Sequence, residues 1–185
     1  MPKYGSRAKS FLEMKHAQLL TEGFYRVRAA RLEPNFFLTV RWADTAYADR
    51  PFLGVQHLLE RLRKLRVPCG PHVCFWVRER ETAAGSVEHA HIATLLDKGL
   101  RELATLISKW VGALNAQAVD VRKCGDRPGW DSRSLVTGYF LKGGNPAVRD
   151  RFLTKKQRAD WKANQGAIYG KRVGVSHAIS RNRLM

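Results

Sequence analysis

Hydrophobic positions along the chain switch repeatedly between a helical spacing and strict alternation. From Ser6 to Tyr25, the residues Phe11, Leu12, Ala17, Leu19, Leu20 and Phe24 are interleaved with Lys9, Glu13, Lys15 and Glu22, which predicts an amphipathic helix. Asn35 to Trp42 (Asn-Phe-Phe-Leu-Thr-Val-Arg-Trp) follows Pro34, is rich in aromatic and β-branched residues and predicts a first strand. Phe52 to Arg66 returns to helical spacing, with Phe52, Val55, Leu58, Leu59, Leu62 and Leu65 in one stripe, until Pro68, Gly70 and Pro71 turn the chain. His72 to Glu81 and Val87 to Leu96 alternate about a Thr82-Ala83-Ala84-Gly85-Ser86 turn and predict a hairpin. A helix from Lys98 to Leu114, a strand over Ala118 to Cys124 and a helix from Asp131 to Lys142, N-capped by Asp131 or Ser132, complete the pattern.

The order β-α-β-β-α-β-α is that of an α+β fold of the split βαβ kind, a four- to five-stranded antiparallel sheet with helices packed on one face. In that topology the first strand and the return strand of the hairpin lie at the centre, and the other face is open to a ligand or an added helix. Three segments follow: a basic helical extension over residues 1–33, a central domain over 34–144, and a basic C-terminal extension over 145–185 in which Trp161 and Tyr169 are interleaved with Lys and Arg.

Charge narrows the range of partners. Against 16 acidic residues stand 33 Lys and Arg, a net charge of +17. Such a surface concentrates polyanions, of which nucleic acid is the commonest. The basic residues are dispersed along the chain instead of gathered on one amphipathic helix, which argues against a membrane surface. With no membrane-spanning apolar run and no apolar segment at Met1-Pro2-Lys3-Tyr4, a cytoplasmic location is expected. Cys69, Cys74 and Cys124 are too few and too irregular for a disulfide framework, and Cys69-Gly70-Pro71-His72-Val73-Cys74 lacks the paired spacing of a structural zinc knuckle.

The candidate chemistry begins at His89-Ala90-His91. Alternation along a strand places both imidazoles on one face, where they can share a divalent ion. With a turn centred near Gly85, Glu81 lies opposite His89 and Glu79 opposite His91, so either acid can complete a two-histidine, one-carboxylate set. Glu88 has the opposite parity. On the last predicted helix, Tyr139 and Lys142 are three residues apart and share a face; a lysine there can neutralise a phosphate or a phenolate.

Phe36-Phe37-Leu38-Thr39-Val40, His89-Ala90-His91 and Tyr139-x-x-Lys142, in this order and on this frame, resemble the three motifs of the HUH endonucleases, with the single-tyrosine rolling-circle replication initiators of plasmids and filamentous phages as the most similar branch. The resemblance covers residues 34–144. It implies metal-dependent nicking and joining of single-stranded DNA at a hairpin origin. Tyr139 would attack the scissile phosphorus and remain joined to the 5′ phosphate. His89, His91 and an acid, Glu81 first and Glu79 second, would hold Mg²⁺ or Mn²⁺, with Lys142 orienting the phosphate. Ala90 is smaller than the residue common between the histidines, and only one tyrosine occupies the motif. No Gly-x-x-x-x-Gly-Lys-Ser/Thr loop is present, so unwinding and synthesis would fall to a host helicase and polymerase.

The DNA contacts expected are Arg41, Arg78 and Arg80 by the sheet and Lys155, Lys156, Arg158, Lys171 and Arg172 in the C-terminal segment. The rival reading is a non-catalytic single-stranded DNA- or RNA-binding protein with an RNA-recognition-like frame, for which Phe75 and Trp76 are the candidate stacking residues.

Overall fold

Phe36-Phe37-Leu38-Thr39-Val40 offers bulky apolar side chains in both parities, as a strand buried on both faces requires. In the computed structural model, which describes residues 11–65, 70–80, 87–159 and 172–180, this run is β1 (Phe36–Arg41). The remaining strands are β2 (Cys74–Arg80), β3 (Glu88–Thr94), β4 (Val119–Lys123) and β5 (Val173–Val175). Their order across the sheet is β4-β1-β3-β2-β5, with every neighbouring pair antiparallel. The first strand and the histidine strand therefore hold the centre, as expected for a split βαβ arrangement. The fifth strand comes from the segment read as a basic extension. It runs tight against β2 because Gly174 has no side chain: a Cβ there would stand 2.7 Å from the indole nitrogen of Trp76.

The helices are α1 (Met14–Ala29), α2 (Pro51–Lys64), α3 (Leu100–Val111), α4 (Ser132–Thr137), α5 (Pro146–Phe152), α6 (Lys155–Ala159) and α7 (His177–Ser180). Sheet residues of one parity, Phe36, Leu38, Val40, Cys74, Trp76 and Ile92, pack against Leu58 and Leu62 of α2 and Leu103, Ile107 and Val111 of α3. Those of the other parity, Phe37, Phe75, Val77 and Ala93, meet Ala17, Leu20, Phe24 and Val27 of α1, Leu135 and Val136 of α4 and Val148 of α5. Helices thus cover both faces, where the sequence pattern placed them on one. The stripe on α1 is the reason: with those four side chains fully buried, the helix is part of the core. No helix among the described residues is long and apolar enough to cross a membrane.

The helix expected over Asp131 to Lys142 is interrupted. Asp131 caps α4, its carboxylate accepting from the Ser134 amide, and the α-helix ends at Thr137. Gly138 lies where a Cβ would fall 1.9 Å from the Gln157 amide nitrogen and 2.7 Å from the Ser134 carbonyl oxygen. A 3₁₀ turn, Tyr139–Leu141, then carries the tyrosine, and the Lys142 amide closes it on the Tyr139 carbonyl at 3.2 Å. Three residues per turn bring positions i and i+3 onto one line, so the break keeps Lys142 beside Tyr139.

If α1 is integral to the core, Phe24→Ala should cost about 3–5 kcal/mol in urea unfolding. A loss below about 1 kcal/mol would make α1 a detachable appendage.

Candidate metal centre

On the face shared with α1, cross-strand pairing arranges the sheet in rows. Arg122, Phe37, Ala93, Phe75 and Val175 form one; Asp120, Thr39, His91, Val77 and Val173 the next; Arg41, His89 and Glu79 the third. The face thus grades from apolar to polar along the strands. The hairpin register differs from the expected one by two residues: Glu79 lies opposite His89, and Val77 opposite His91. A shift of two residues preserves parity, so the carboxylate stays on the histidine face and only its partner changes. Glu81 lies outside the described residues.

Glu79, His89 and His91 offer one ligand atom each within 4.8 Å of one another, close enough to bind a metal ion. Glu79 and His91 are buried, at 3% exposure each, and His89 is half-buried. Glu79 Oε2 is 3.3 Å from His91 Nε2 and 3.1 Å from Lys142 Nζ. Burial alone would push the Glu79 carboxyl up; His91 and Lys142 outweigh it and hold the group down at about 2. The carboxylate is therefore ionised and ready as a ligand. Glu79 Oε1 is buried without a hydrogen-bond partner among the described residues. Such an orphaned atom is costly unless something else satisfies it, and two imidazole nitrogens with one carboxylate are a fitting donor set for a divalent ion.

The surroundings orient the ligands. Thr39 Oγ1 is 3.0 Å from His91 Nδ1, so a ring using Nε2 as ligand can give its Nδ1 proton to the hydroxyl. Phe37 stacks on the His91 ring at 5.7 Å with planes 13° apart. Tyr139, half-buried, meets His91 edge-on at 5.1 Å and Phe37 at 5.7 Å. Lys142 Nζ stands 3.7 Å from the Tyr139 ring centroid. Burial lowers the Lys142 pKa, but Glu79 and the tyrosine oxygen overcome this and raise it, so the ammonium is kept charged between them. The residues singled out in sequence, Glu79, His89, His91, Tyr139 and Lys142, are thus brought together from β2, β3 and the 3₁₀ turn.

No protein-family model, curated protein or solved structure matches this chain.

The basic residues divide. Arg41 sits opposite His89 with its side chain half-exposed, held by Asp44 and Gln117. Arg80, Lys155, Lys156 and Arg158 are exposed, and Lys171 lies outside the described residues. Arg78 and Arg172 correct the expectation of surface contacts: they are 2% and 1% exposed. Arg78 pairs with Glu88 beneath the ring of Phe52, on the face opposite the histidines, where the parity of Glu88 had placed it. Burial lowers the Arg172 pKa to about 10, partly offset by Glu79 and Glu88. Phe75 and Trp76, the stacking candidates of the rival reading, are 0% and 5% exposed and belong to the two cores. Burial pushes the Cys74 thiol up to about 12, the mark of a packing residue; Cys69 is outside the described residues. Thr39 was not singled out in sequence as a functional residue, because its pairing with His91 depends on register.

Isothermal titration of the metal-free protein with Mn²⁺ should give one site per chain. His91→Ala should abolish it, and Thr39→Val should weaken it about tenfold or more. Unchanged binding in His91→Ala would remove this centre from consideration.

Proposed function

We propose that the chain nicks and rejoins single-stranded DNA through a 5′-phosphotyrosine on Tyr139. The observation that carries this reading is the contact of Lys142 with both Tyr139 and Glu79, which joins the proposed nucleophile to the metal-binding triad through one half-buried ammonium. A divalent ion, Mg²⁺ or Mn²⁺, held by Glu79, His89 and His91 would polarise the scissile phosphodiester. The side chains supply the rest. The Lys142 ammonium favours the phenolate of Tyr139, the nucleophilic form. As Tyr139 Oη bonds to phosphorus, the bond from phosphorus to the 3′ oxygen breaks; that oxygen takes a proton and leaves as a free 3′-OH. The phosphotyrosine conserves the phosphodiester linkage, so attack by a 3′-OH reverses the step and joins ends without a nucleotide cofactor. Arg41, in the row of His89 and Glu79, is placed to bind a neighbouring phosphate, and exposed Arg80, Lys155, Lys156 and Arg158 extend the basic surface.

This is the chemistry of an HUH-type endonuclease that starts rolling-circle replication, acting at a hairpin origin with host helicase and polymerase. The burial of Phe75 and Trp76 weighs against a binder that stacks bases on the central strands.

Incubation with single-stranded origin DNA and Mn²⁺, followed by denaturation, should leave a covalent adduct with the native chain and none with Tyr139→Phe. Lys142→Met should slow adduct formation roughly 10²-fold. An adduct that persists in Tyr139→Phe would refute the assignment of the nucleophile.

A further inference from the structure

Beyond the metal centre, the aromatic layer continues outward to a residue that the proposed chemistry does not use. Trp130 meets Phe37 edge-on at 5.6 Å and lies tilted by 38° to Tyr139 at 6.1 Å. It is half-buried, so part of its ring is open to solvent. Two guanidinium groups attend it: the Arg122 carbon is 5.2 Å from the ring centroid and the Arg127 carbon 5.8 Å. Both distances fall in the range of cation–π attraction. Arg122 is paired with Asp120 at 2.8 Å, yet its Nη1 is buried without a hydrogen-bond partner among the described residues. Arg127 is exposed, and its guanidinium lies against the indole ring.

The loop that carries this group is built, not slack. Gly125 N–H donates to the Trp130 carbonyl at 2.9 Å, and Trp130 N–H to the Arg127 carbonyl at 3.0 Å. Gly125 and Gly129 take φ of +90° and +77°, conformations that side chains rarely adopt. The closure therefore holds Trp130 and Arg127 together next to Tyr139. If the two arginines served only to pack the indole, a fully paired guanidinium would do as well. The exposed Arg127 guanidinium beside the half-buried indole suits a ligand that brings both a π-face and a negative charge. On a chain of net charge +17, a nucleotide of a single strand is that ligand.

We infer that Trp130, with Arg127 and Arg122, forms a stacking seat for the DNA base next to the phosphate presented to Tyr139. The seat rests on the nicking reading for its position, but binding there requires no metal and no cleavage. Arg127 would contact the adjoining phosphate, and Trp130 would act as a positioning residue that holds the strand in line with the tyrosine.

The test uses the full chain in EDTA with an oligothymidylate of about twelve residues carrying 5-iododeoxyuridine. Photo-cross-linking and peptide mass spectrometry should place the adduct on Trp130. In fluorescence anisotropy, Trp130→Ala should weaken binding about tenfold and Trp130→Phe much less. Arg127→Gln, an exposed change that spares the fold, should lower the slope of log affinity against log salt by about one. Cross-links that avoid Trp130, or an unchanged salt slope in Arg127→Gln, would overturn the seat. The two readings fail separately. Cross-linking at Trp130 without any Tyr139 adduct sinks the nicking reading and leaves the seat. A Tyr139 adduct with unaltered strand affinity in Trp130→Ala sinks the seat and leaves nicking.

Discussion

The ionised Glu79 carboxylate is the constraint on which the site depends. A buried carboxylate is costly unless cations or donors surround it, and here His91 and Lys142 do so from two directions. His91 comes from the neighbouring strand and Lys142 from the turn that follows α4, so one charge ties the sheet to the segment bearing Tyr139. Next to it on that face, Phe37, Phe75, Val77 and Ala93 form an apolar layer packed under α1, α4 and α5. An acid in such a setting restricts the geometry of everything around it. Lys142 must stay close, and the 3₁₀ turn then holds Tyr139 against His91.

This arrangement gives the ammonium two compatible roles. Without a metal ion, Lys142 helps to neutralise Glu79. In the proposed reaction, with an ion on Glu79, His89 and His91, the same ammonium would stay beside Tyr139 and favour the phenolate. The two faces of the sheet divide the labour: α2 and α3 bury one without polar interruption at its centre, while the other carries the polar row at the ends of β2 and β3. The paired charges of Arg78 and Glu88 on the first face lie at the same strand ends as Glu79 and His89 on the other.

Much of this was legible in the chain. The alternation of hydrophobic residues located the first four strands, and the period of two fixed which residues share a face. That is why His89, His91 and Glu79 could be grouped from sequence. Register was not legible, since Thr82 to Ser86 contains no turn signal strong enough to fix the loop length, and a step of two residues leaves every face unchanged. The break at Gly138 was hidden for a different reason. Gln157, remote in sequence, comes so close to Gly138 that a side chain there would meet it, and no local pattern announces that contact. Charge was likewise a poor guide to exposure: Arg78 and Arg172 read as surface cations, but β5 and Glu88 enclose them.

The reaction proposed for this chain turns on Glu79, His89 and His91 holding one divalent ion next to Tyr139. Anomalous diffraction at the manganese edge, from crystals of the native chain grown with Mn²⁺, would reveal that ion. One strong peak is expected, bonded to a Glu79 oxygen and to a ring nitrogen of each histidine. A manganese peak elsewhere in the molecule, with Lys142 still paired to Glu79 and no density between the histidines, would contradict it.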